Sequence, residues 1–135
     1  MFRLVLMFFG ILCTVFLSPQ PIKAVDLVDY NIHWTAVGDD GLEGTAATYD
    51  IRISPAPITS ANWATAAQLI NEPIPSIAGT RESYTITDLQ PGFTYYVAIK
   101  TADEVPNWSD LSNVLMIVIP DITPPAAITT LSSGS

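Results

Sequence analysis

Residues 89–113 read LQPGFTYYVAIKTADEVPNWSDLSN, a corner followed by a hairpin. Pro91 presets its own φ, and Gly92 supplies the positive φ that closes the turn. In the strand that follows, Tyr95, Val97 and Ile99 fall on one face and Tyr96, Ala98 and Lys100 on the other. A polar loop through Asp103, Glu104, Pro106 and Asn107 leads to a second β-rich run beginning near Asn113. A chain that contains this element must supply further strands to cover its apolar face.

Those strands are legible upstream. Val28, Tyr30, Ile32 and Trp34 alternate with polar residues, and Tyr49, Ile51 and Ile53 do so after the glycine-rich acidic loop GDDGLEG at 38–44. Pro55 and Pro57 end the second run. Residues 62–70 suit either a helical turn or a short strand, and their position between β-segments favours the strand. Tyr84 and Ile86 mark another strand that leads into Leu89. Residues 114–119 form the last, apolar on both faces and closed by Pro120. Six short strands separated by turns predict an all-β, antiparallel β-sandwich. Its expected core is Tyr30, Ile32, Trp34, Tyr49, Ile51, Tyr84, Ile86, Leu89, Tyr95, Val97 and Ile99.

The first 24 residues belong to a different class. Arg3 precedes an uncharged apolar run at 4–17, and Ser18, Pro19 and Pro21 break it ahead of Ala24. This is the pattern of a secretory signal peptide cleaved after Ala24. This fourteen-residue run falls short of the roughly 20 that span a bilayer; an uncleaved membrane anchor is the alternative. Cys13, the sole cysteine, lies in this run and reads as an ordinary residue of it. The exported chain would then lack any thiol or disulfide, so its core alone would hold it. It would keep Arg52, Arg81 and Lys100 against thirteen acids, a net charge of −10. Such a surface repels nucleic acid and anionic lipid.

Trp34 on an early strand, Tyr49 on the next, and Leu89-x-Pro91-Gly92 ahead of Tyr95 resemble a fibronectin type III domain. Residues 35–44, 49–54 and 95–100, with Asp103-Glu104 and Asn107-Trp108-Ser109, are similar to a form found in bacterial exported multidomain proteins. The resemblance covers residues 30–120 and implies an immunoglobulin-like sandwich. It also implies that Tyr95 forms the tyrosine corner, its hydroxyl bonded to backbone upstream, with Leu89 plugging the core beneath it. The chain departs from the pattern at Pro106, where this form has glycine, and upstream of Tyr30, where a first strand should lie. That first strand is missing or degenerate. Residues 121–135 resemble a linker and the opening strand of a further repeat. The expected organisation is a signal peptide at 1–24, one domain at 25–120 and this tail.

The same resemblance places the loops at 38–44 and 102–110 at one pole, gathering Asp39, Asp40, Glu43, Asp103, Glu104 and Asp110. Calcium favours such oxygen ligands, but no EF-hand spacing is present, and solvated acidic loops are the plainer reading. Trp108 and Trp63 are candidate sugar-stacking platforms, or covers for the loops that carry them. His33, the only histidine, has no second histidine or exported cysteine with which to build a metal site or nucleophile–base pair. Nothing in the sequence predicts catalysis or a cofactor. The expected role is a secreted or cell-surface spacer or protein-interaction module contacting neighbouring domains or other proteins. A carbohydrate-binding accessory module using exposed Trp108, Trp63 or Phe93 is the alternative.

Overall fold

The computed structural model describes residues 26–134. The expected signal peptide, residues 1–24, lies outside the described residues. Six strands are present: β1 (Val28–Thr35), β2 (Thr48–Ser54), β3 (Ala67–Gln68), β4 (Arg81–Leu89), β5 (Thr94–Ala102) and β6 (Leu115–Val118). They form two antiparallel sheets, one of order β1-β4 and one of order β3-β2-β5-β6. The fold is therefore an all-β antiparallel sandwich, with no α-helix among the described residues.

Alternation builds the core. Ile32 from β1, Tyr49 and Ile51 from β2, Ile86 and Leu89 from β4, Val97 from β5 and Ile117 from β6 are buried together, with Ile119 just beyond β6. Trp34, Tyr84, Tyr95 and Ile99 pack against this cluster but are only partly buried. Tyr30 does not belong to it. It occupies the inward register of β1 yet is 38% exposed. The pairing explains part of this: between Val28↔Leu89 and Tyr30↔Ile86 the strand β4 carries one residue more than β1. Asp88, at φ 64, takes up the extra length, and this bulge turns the end of the ladder.

The outer face of the four-stranded sheet is also covered. Ile58, Ala66 and Ala98 form a second buried cluster, with Trp63, Tyr96 and Leu111 against it. Tyr96 and Ala98 thus point away from the main core without pointing into water. Residues 62–70 are not one strand. A 3-10 turn (Trp63–Thr65) precedes the two-residue β3. Asn62 fixes that turn by accepting the Thr59 N–H through Oδ1 at 2.7 Å and donating from Nδ2 to the Pro57 carbonyl at 3.0 Å. Those local bonds outcompete an extended backbone.

Between β4 and β5 the chain crosses from one sheet to the other. Gly92 has φ 83, and its N–H donates to the Ile119 carbonyl at 2.9 Å. Gln90 N–H donates to Tyr95 Oη at 3.1 Å. The corner is thereby tied to the strand it feeds and to the chain leaving β6.

Candidate functional site

The acidic pole is built from a tight loop. Asp40 and Glu43 form an isolated antiparallel bridge, and Gly38 N–H donates to the Gly41 carbonyl at 3.0 Å. The loop folds so closely that a side chain at Gly38 would collide with the Glu43 backbone. Of the six acids expected here, Asp39 and Asp103 line one recess of about 350 Å³, together with Asn107 and Trp108. Asp110 lies elsewhere, along the side of the sandwich. The acids do not converge: among the described residues no three His, Cys, Asp or Glu side chains are arranged to hold a metal ion.

Asp103 is occupied by its own loop. Oδ1 accepts the N–H groups of Val105 at 2.9 Å and Asn107 at 2.8 Å, and Oδ2 accepts Asn107 Nδ2 at 2.7 Å. These bonds, the Asn107 backbone first, hold its carboxyl below the usual carboxylate range. Glu104 is exposed on the same turn, and Asp39 accepts the N–H of Asp40 at 3.1 Å.

The two candidate platforms differ. Trp63 lies on the outer face with the Arg52 guanidinium 4.9 Å and the Lys100 ammonium 5.3 Å from its ring centroid. Arg52 is itself gripped by Asp50 through two bonds of 2.9 Å. These cations take up the ring face that a sugar would need. Trp108 is 48% exposed beside the recess, while its backbone bridges Ala102. His33 is exposed on β1, as its register requires.

Sequence reasoning missed the roles of Ser109 and Ser112. Ser109 N–H donates to the Thr101 carbonyl at 2.8 Å, and its Oγ accepts Thr101 N–H at 3.1 Å. Ser112 N–H donates to the Ile99 carbonyl at 3.1 Å, and its Oγ accepts Ile99 N–H at 2.9 Å. Each serine replaces a strand residue with its side-chain oxygen. The spacing Ser-x-x-Ser opposite alternate residues of β5 was the available signal.

A seam runs down one side of the sandwich, between β1 and the β5–β6 region. Its larger hollow, about 440 Å³, is lined by His33, Trp34 and Thr35 facing Ile99, Ser109 and Ser112. A smaller one of about 90 Å³ continues it past Ile32 and Val97 to Leu115. No family model matches this chain. It is similar to calcium-activated chloride channel regulator 2 of Mus musculus, at 29% identity over 119 residues. That alignment takes in 72% of this chain and spans 13% of the length of that protein.

Proposed function

We propose that residues 25–120 form a fibronectin type III-like module, non-catalytic and without a cofactor, that acts as a spacer or protein-contact unit in an exported multidomain protein. The observation that carries this reading is where the polar chemistry is spent. Asp103 caps its own turn, Ser109 and Ser112 clamp β5, Tyr95 holds the corner, and Asp50 grips Arg52. Each of these groups holds the scaffold. The strand order and the Tyr95–Gln90 bond support the family reading. The likeness to a short part of a much longer mouse protein supports a module among others. Residues 1–24 would direct export, with action at the cell surface or beyond it.

Trp108 supports a second reading. A half-exposed indole beside a recess lined by Asp39, Asp103 and Asn107 has the composition of a sugar subsite. Affinity electrophoresis through cell-wall and plant polysaccharides separates the two. No retardation is expected. Retardation abolished by Trp108→Ala would move the protein to the carbohydrate-binding class, and turnover of a generic hydrolase substrate would overturn the non-catalytic reading. For export, the expected N-terminus of protein recovered outside the cell is Val25. Recovery only in membranes, with Met1 retained, would replace cleavage by anchoring.

A further inference from the structure

The two sheets do not match in width. Four strands on one side face two on the other, so the narrower sheet leaves part of the wider one without a strand opposite it among the described residues. Leu115 and Ile117 alternate into the same register of β6, yet Leu115 is 38% exposed and Ile117 1%. Across the seam, β1 pairs with β4, and the other edge of this eight-residue strand is unpaired among the described residues. Such an edge is a template for one more strand. A strand added there would extend the narrow sheet, roof the seam and cover Leu115.

We propose that this slot takes residues 126–131 of a second copy of the chain, paired antiparallel to β1. The segment, AAITTL, is exposed throughout, with Ile128 at 82% and Leu131 at 90%. It carries no charge, nor does any residue from Ile122 to Ser135. On so acidic a chain, that lets it lie beside Asp110 without repulsion. Pro124 and Pro125 lack an N–H, so pairing begins at Ala126. Six extended residues reach about 20 Å, enough to run along most of β1.

Direction selects the second copy over the chain's own tail. β1 starts opposite Leu89, and β6 ends opposite Thr94, so both of these ends lie at the 89–94 corner. A tail reversing from Pro120 would run parallel to β1, and would have to turn within a segment holding Pro120, Pro124 and Pro125. A tail from another molecule can enter antiparallel, the somewhat more stable pairing and a known mode of recognition.

Site-directed cross-linking in the full chain tests this, in a Cys13→Ser background with two differently tagged copies. One copy carries Asn113→Cys, which lines the seam; the other carries Ile128→Cys or Thr129→Cys. The expected product is a disulfide-linked heterodimer with at least one tail position, suppressed at least about tenfold when Leu131→Asp is added to the tail. Because the substituted tail is exposed, the fold itself should tolerate the change. The proposal is overturned if neither tail position yields a heterodimer, or if Ser60→Cys on the loop after β2 cross-links equally well. It is also overturned if a chain carrying both cysteines closes only on itself. Association through the apolar run at 4–17 would show no such selectivity.

Discussion

The Trp34 ring stands edge-on to Tyr49, their centroids 5.3 Å apart and their planes at 87°. The contact joins the two sheets and carries a polar burden. The Trp34 indole nitrogen, the Tyr49 hydroxyl and Glu82 Oε2 are all buried, and none completes a hydrogen bond of ordinary geometry. They are close enough to act on one another electrostatically. Burial first, then the Glu82 carboxylate, pushes the Tyr49 hydroxyl up to about 12.

An alkaline limb of the stability curve follows. With Tyr49 raised from 10.0 to about 12, its contribution is fully present below pH 10 and is lost as pH rises toward 12. At roughly 1.4 kcal/mol per unit, the loss amounts to about 2–3 kcal/mol. Tyr49→Phe should flatten that limb in urea melts between pH 9 and pH 12. At neutral pH it should cost less than about 1 kcal/mol, since the lost hydroxyl had no completed bond. A limb left as steep in the variant would assign it to Tyr84, also raised by burial.

Glu82 sets the opposite limb. Burial alone would raise its carboxyl, but polar contact with Tyr49, Ser76 and Trp34 outweighs that and holds it below its ordinary 4.5. A depressed carboxyl stabilises above its unfolded pKa and loses that contribution as pH falls through the folded value. Glu82→Gln should therefore be less stable at pH 7 and show a shallower acid limb below about pH 4.5. Glu72, raised chiefly by burial, has the reverse sign, so Glu72→Gln should steepen the same limb. Thermal melts from pH 7 to pH 2.5 read both.

Trp34→Ala should cost about 3 kcal/mol, the low end for an aromatic truncation, because the ring is only partly buried. Tyr95→Phe leaves Gln90 N–H without its acceptor, but at an exposed corner where water can replace it. It should cost about 1 kcal/mol, and Tyr96→Phe less, since the main contribution of Tyr96 is its packing against the outer cluster. Equal losses in denaturant titrations would show that the corner bond contributes nothing.

The strands were readable wherever one face is buried, because a period of two leaves its mark in β1, β2, β4 and β5. Tyr30 shows the limit of that mark. Alternation gives the direction of a side chain, whereas burial depends on what lies opposite. Residues 62–70 show another, since Asn62 fixes a turn through side-chain bonds that no periodicity records. The acids themselves were visible in the sequence, but only the family resemblance gathered them at one pole. That Asp103 spends both oxygens on its own loop depends on backbone N–H directions, which appear only once the turn is built.

For the same reason calcium should leave the protein unchanged. A cation at this pole would have to displace the three donors on Asp103 and recruit carboxylates that stand apart. The melting temperature in millimolar calcium should equal that in chelator, because a ligand that binds only the native state would raise it. A rise abolished by Asp103→Asn would locate a site there.

The two serine clamps offer the sharpest separation of strength by burial. Ser112 Oγ accepts from Ile99 N–H in a partly buried setting beside the seam, and Ser109 Oγ accepts from Thr101 N–H at an exposed one. Removing either oxygen leaves a strand N–H without its partner. The cost depends on whether water can take its place. Ser112→Ala should therefore destabilise by about 1–2 kcal/mol, and Ser109→Ala by less than about 1 kcal/mol. Thr substitutions, which keep the oxygen, should restore most of the loss. If the two alanine variants melt alike and threonine rescues neither, the carbonyl bonds from the serine backbones hold this segment by themselves.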